Sequence, residues 1–185
     1  MHHAVPKDPN TLLMSKSRSD NVPLRSVFRT SGLPGKAAVV LSTWFGAGLL
    51  PAAPGTFGTL AALPLIGLMK AQGVPFQVGL LGMVIVLALW STGRYQDLTG
   101  RQDPPEVVID EVAGFSLTMV LLPASWLSLG LGFLAFRLFD IWKPFPIKRL
   151  EILRGSTGTV MDDLAAGLYA AAAVRILLSF PPWGG

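Results

Sequence analysis

Three short stretches place acids inside otherwise apolar sequence: Val-Ile-Asp110-Glu111-Val, Arg137-Leu-Phe-Asp140-Ile-Trp-Lys143-Pro, and Val-Met-Asp162-Asp163-Leu. Carboxylates among apolar residues at a membrane boundary are costly to keep, and by default they mark function. Adjacent residues on a helix point about 100° apart, so one member of each pair is expected to converge on a shared site between helices. Carboxylates without a soft donor suit Mg²⁺, a hard cation that binds through one or two carboxylates plus substrate phosphate. Arg137 and Asp140 share a helix face at spacing three. Lys143 stands just before a proline, where a helix should end. Together Arg137 and Lys143 offer a planar fork and a point charge for a phosphate.

Each piece also has a plain structural reading. Asp162 and Asp163 follow Thr159 at capping-box distance and would complement a helix dipole. Asp110 and Glu111 come a turn after Pro104-Pro105 and would equally suit a helix start. Arg137 and Asp140 would make a simple ion pair. Arg175, alone in the last apolar segment, is expected to snorkel to an interface. The combination is harder to dismiss than its parts. With no cysteine, and with His2 and His3 the only histidines, thiolate chemistry, a histidine nucleophile and soft metal sites are excluded. A D-x-D nucleophile arrangement is absent as well.

A fourth stretch, Pro54-Gly55-Thr56-Phe57-Gly58-Thr59, breaks an uncharged run with glycine and proline. It lacks the spacing and lysine of a P-loop. Pro54, Gly55, Thr56, Gly58 and Thr59 would either offer amides and hydroxyls to an anion at a helix N-terminus or simply turn the chain.

The elements that must position these groups read as membrane helices. Of the 185 residues, 51% are hydrophobic and only 14% charged, against about 25% charged in soluble domains. Apolar segments fall at 37–50, 59–72, 75–94, 107–122, 125–142 and 159–179. The first is short enough to be re-entrant or interfacial. The net charge of +4 comes from basic residues flanking the apolar segments, as the positive-inside rule expects of cytoplasmic loops, and not from a nucleic-acid surface. The expected architecture is all-α: a polytopic bundle of about five spanning helices plus a short N-terminal re-entrant or interfacial helix. Residues 1–36 read as a basic, flexible cytoplasmic tail without the early apolar core of a secretory signal. Residues 37–180 read as the helical membrane domain and 181–185 as a short tail. With the basic loops inside, all four stretches fall at the cytoplasmic face.

Taken in order, FGAGLLPAAPGTFGTLAALP (45–64), VIDEVAG (108–114), FRLFDIWKPFPI (136–147) and VMDDLAAG (160–167) resemble the phosphatidylglycerophosphatase A family of bacterial membrane phosphatases over about residues 40 to 170. The resemblance implies a helical, Mg²⁺-dependent phosphomonoesterase of the inner membrane that converts phosphatidylglycerophosphate to phosphatidylglycerol among bilayer lipids. On that reading Asp110, Glu111, Asp162 and Asp163 are candidate metal ligands. Asp110, Glu111, Arg137, Asp140 and Lys143 are candidate catalytic residues, and the Pro54–Thr59 stretch contacts substrate. Two rivals remain at the level of sequence: a small ion or proton transporter with carboxylates in a helical bundle, and a soluble bundle that only binds a phosphorylated ligand.

Overall fold

The computed structural model describes residues 24–150, 153 and 155–180. Most of the expected basic tail and all of 181–185 lie outside the described residues. The part of that tail that is described is helical: α1 (Leu24–Thr30) buries Val27, and α2 runs over Leu33–Ser42. A short 3₁₀ turn, Ala47–Leu49, follows. Then come α3 (Pro54–Ala61), α4 (Leu63–Lys70), α5 (Val74–Thr99), α6 (Ile109–Val120), α7 (Trp126–Trp142), α8 (Ile147–Leu150) and α9 (Ser156–Ser179). The described residues are helical with no strand.

Several expected boundaries move, each for a local reason. The apolar segment expected at 59–72 is two helices, because Pro64 in the first turn of α4 has no N–H to continue the ladder of α3. Helix α5 runs five residues past Arg94, to Thr99, and Gly100 after it takes the left-handed conformation (φ 70°) and donates its N–H to Gln96 O. At 26 residues it is about 39 Å long, enough for a bilayer core of about 30 Å. Only 28% of its apolar window is buried; Val78, Met83, Val86 and Trp90 are exposed along it. Among the described residues this is the one helix long and apolar enough to cross a membrane. Helix α6, at 12 residues, spans about 18 Å. Helix α9 has the length but carries Asp162, Asp163 and Arg175. The expectation of five spans therefore reduces to an all-helical chain with one membrane-capable helix.

The core forms where α9 packs on α6, α7 and α5, around Phe115, Phe136, Val160, Ala166 and Ala170, all fully buried. Small residues set the closeness of the central contact. A Cβ on Gly114 of α6 would lie 2.5 Å from the Asp163 carbonyl oxygen and 2.7 Å from a Phe136 ring carbon, and one on Gly167 of α9 would collide with the Gly114 carbonyl. Thr118 Oγ1 lies 3.1 Å from both the Gly114 and the Gly167 carbonyl oxygens. At the other end of α6, Lys70 donates to Leu122 O (2.8 Å) and Arg175 to Leu121 O (2.6 Å). Two cations from other helices thus satisfy carbonyls at the negative end of the dipole, so Arg175 is spent on the fold.

Substituting Gly167→Ala forces α6 and α9 apart. Overpacking of this kind costs about 1–3 kcal/mol, so the melting temperature by circular dichroism should fall, and activity with it. Gly79→Ala on α5, where a Cβ meets nothing within 4 Å, should leave the melting temperature unchanged or raise it slightly.

Candidate active site

The four chemistry-bearing stretches meet in one cavity of about 910 Å³. Ala53, Pro54 and Gly55 line it from the start of α3, Asp110 and Glu111 from the first turn of α6, Arg137, Asp140 and Lys143 from the end of α7, and Thr159, Asp162 and Asp163 from α9. One oxygen from each of Asp110, Glu111 and Asp163 lies within 4.8 Å of the others. Both members of the first acid pair reach this cluster, although one was expected. They sit in the first turn of α6, and the cavity closes over the helix end, so side chains about 100° apart both border it. From the second pair Asp163 joins the cluster, while Asp162 turns to Lys143, Nζ to Oδ2 2.6 Å.

The cations are held rather than loose. Arg137 Nη1 lies 2.5 Å from Asp140 Oδ2 and 3.9 Å from Glu111 Oε1. Arg137, Asp140 and Lys143 recur every three residues along one face. Lys143 ends α7 in the left-handed conformation (φ 45°), donating its N–H to Phe139 O at 2.8 Å. That cap turns its side chain across the cavity toward α9. Backbone amides brace the acids: Glu111 N donates to Asp110 Oδ1 (3.1 Å) and Asp163 N to Asp162 Oδ1 (3.0 Å). Two buried atoms, Glu111 Oε2 and Arg137 Nε, have no hydrogen-bond partner among the described residues. A buried acceptor and a buried donor left unmatched are costly in a folded protein unless water or a ligand completes them.

Two expectations change here. Helix α9 starts at Ser156, so Thr159 lies inside it and Asp162–Asp163 belong to its second turn; they are buried site groups and not partners in a capping box. The Pro54–Thr59 stretch is the body of α3 and not a loop. Pro54 and Gly55 line the cavity, with Ala53 before them in the left-handed region (φ 48°). A Cβ on Gly55 would collide with Glu111 Oε1 and come within 3.0 Å of Arg137 Nη1. Gly58 instead packs on Val108, Thr59 donates to Gly55 O (2.8 Å) within the helix, and Thr56 is not among the lining residues.

The remaining wall is the 100–108 connection, which contributes Gln102, Asp103, Pro104 and Pro105. The sequence shows it only as the connection between the apolar segments 75–94 and 107–122. It is stapled in place: Tyr95, fully buried, donates to Glu106 Oε1 (2.8 Å), Arg101 Nη1 reaches the same oxygen at 2.6 Å, and Gln96 donates to Gln102 O. The signal was present in outline, as an aromatic hydroxyl at the end of an apolar helix with a cation and an acid just beyond.

Proteins similar to this chain carry phosphatase names. An Escherichia coli (strain K12) phosphatidylglycerophosphatase A is 35% identical over 153 residues, covering 78% of this chain and 86% of that protein. A Haemophilus influenzae protein of the same name is 33% identical over 138 residues, 73% of this chain and 85% of that one. A Bacteroides thetaiotaomicron protein, provisionally named a phosphatidylinositol-3-phosphatase, is 31% identical over 157 residues, 80% and 95%. No solved structure gives a significant match. These relatives and the all-helical fold define a helical phosphatase. The family model described as phosphatidylglycerophosphatase A matches residues 40–178, and the chain belongs to that family. The transporter alternative gains no support from these relatives.

Because Gly55 touches the Glu111–Arg137 pair, Gly55→Ala should lower phosphatase kcat/KM by about tenfold or more, as for a displaced catalytic group, with the melting temperature nearly unchanged. Thr56→Ala should leave KM and kcat at wild-type values; steady-state phosphate release measures both.

Proposed function

We propose that the protein is a Mg²⁺-dependent phosphomonoesterase that converts phosphatidylglycerophosphate to phosphatidylglycerol, and that it works as a multi-pass protein of the bacterial inner membrane with its cavity facing the cytoplasm. The names of the two phosphatidylglycerophosphatase A relatives support the substrate. The chemistry rests on one observation: Asp110, Glu111 and Asp163 converge beside Arg137 and Lys143 with a Glu111 oxygen and an Arg137 nitrogen still unpartnered. Apolar side chains left exposed along α7, among them Leu127, Leu134, Leu138, Ile141 and Trp142, support contact with lipid beyond α5.

The residues fit a hard divalent cation. Three carboxylates supply oxygen donors close enough to share one ion, no soft donor is present, and the buried negative charge exceeds what Arg137 and Lys143 balance. Asp110, Glu111 and Asp163 would hold it, whereas Asp162 is committed to Lys143. When bound, the cation supplies Lewis-acid polarisation of the phosphoryl oxygen.

The chain's own groups do the rest. Arg137 and Lys143 take up charge spreading over the phosphoryl oxygens in the transition state, and Asp140 and Asp162 fix their positions. Glu111, through its unpartnered Oε2, accepts a proton from the attacking water as the new P–O bond forms. The bond from phosphorus to the glycerol oxygen breaks, and the proton is returned to that oxygen, giving inorganic phosphate and the free hydroxyl.

Purified protein in detergent should release phosphate from phosphatidylglycerophosphate, lose this activity in EDTA and regain it with Mg²⁺. Asp163→Asn should reduce kcat by at least about 100-fold, the scale expected when a site group of a metal centre is lost. Equal turnover with and without chelator would overturn the metal assignment. No turnover by the wild-type protein would overturn the substrate.

A further inference from the structure

A second concavity, of about 520 Å³, lies at the N-terminal side of the fold between α1, α2 and the turn after α2. That is within the size range of ligand sites, about 300–1,000 Å³. Its lining is apolar, chiefly Leu24, Phe28, Val40, Phe45 and Leu49, with Arg25 and Arg29 beside them. Phe28, Val40, Phe45 and Leu49 are all substantially exposed, Phe45 at 71%. Lys36 lies 5.8 Å from the Phe28 ring centre. Among the described residues, no carboxylate forms an ion pair with Arg25, Arg29 or Lys36. An apolar trough edged by cations that pair with no described carboxylate matches one chemistry well: an alkyl chain attached to an anionic group.

The backbone is constrained to present this surface. Trp44 and Phe45 occupy the left-handed region (φ 46° and 56°), where large side chains are rare. Trp44 is tied back by Nε1 donating to Ala61 O at 3.0 Å, and Gly46 N donates to Thr43 Oγ1. These ties hold the turn in place, and Phe45 stands out of the core on it. The same turn adjoins the active-site cavity. Gly48 packs against the carbonyl of Glu106, whose loop walls that cavity, and Pro54-Gly55 follow within a few residues.

We infer that this groove receives an acyl chain of the phospholipid substrate, with Arg25 and Arg29 facing its internal phosphodiester while the terminal phosphate enters the acidic cavity. The inference rests on the phospholipid substrate proposed above. It assigns the groove to the part of that substrate which does not react, so its binding energy is available to hold the reacting phosphate in place.

The test compares dioleoyl phosphatidylglycerophosphate with its deacylated headgroup, glycerophosphoglycerophosphate, in detergent micelles. Wild type, Leu49→Asp, and the double variant Arg25→Glu/Arg29→Glu are measured, with melting curves as the folding control. For the deacylated compound the readout is turnover, or inhibition of lipid hydrolysis where turnover is undetectable. Expected is a rise of about tenfold or more in KM for the lipid in both variants, the scale of losing a few apolar contacts, with the deacylated compound handled as by wild type. Loss on both compounds, or on neither, would overturn the inference. Repair of the variants by added phosphatidylglycerol would assign the groove to a separate bilayer lipid and overturn it too. Wild type that turns over neither compound would instead remove the substrate proposal on which it stands.

Discussion

Where α6 crosses α9, a Cβ on Gly114 would stand 2.5 Å from the Asp163 carbonyl oxygen, and one on Gly167 would strike the Gly114 carbonyl. Two helices can come this close only where both lack side chains. Asp110 and Glu111 sit one turn before Gly114, and Asp163 one turn before Gly167. The same contact that lets the backbones touch therefore brings the three carboxylates within 4.8 Å. Any wider crossing would leave the acids on separate helices facing separate neighbours. The convergence of α6 and α9 on one cavity and the seating of Phe136 against Gly114 follow from this one closeness.

Concentrating acids this way is costly, since buried like charges raise the energy of the folded chain. The structure distributes that cost. Asp140 is neutralised by Arg137 and Asp162 by Lys143, each pair linking one cation of α7 to an acid whose own position is set by helix geometry. Asp110 and Asp163 have no ion pair among the described residues, and Glu111 has only the longer 3.9 Å contact with Arg137. The ion pairs and the carboxylate cluster thus divide the cavity into two parts, one paired within the chain and one built almost wholly of acids. Just past the opposite end of α6, Lys70 and Arg175 bind the Leu122 and Leu121 carbonyls.

Away from the cavity, the protein leaves apolar surface unburied. Helix α5 packs its small and polar positions, among them Ala88, Ser91, Thr92 and Tyr95, against the core and turns Val78, Val86 and Trp90 outward. The fold is thus held together by close helix contacts and polar staples more than by enclosure of every apolar side chain. In a lipid surround such packing is the main source of helix association.

The sequence by itself determined the helical class, because its apolar runs are long and bounded by proline, glycine and charge. It also determined the chemistry available: with no cysteine and no histidine beyond His3, only carboxylates and the cations Arg137 and Lys143 remained to build a site. The four stretches were recognisable as one set from their residue types. What tertiary structure decided was how that set is divided. Asp162 and Asp163 are neighbours in sequence, yet one faces Lys143 and the other the cluster, because α9 presents them to different helices. Pro54 and Gly55 reach the cavity while Gly58 and Thr59 do not, because the stretch winds into a helix whose far side packs on Val108. The wall at 100–108 and its Tyr95–Glu106–Arg101 staple had no periodic signal to reveal them. Periodicity and composition are local properties of the chain. Which side chains meet depends on how closely two helices approach, and here that distance is fixed by two glycines 53 residues apart.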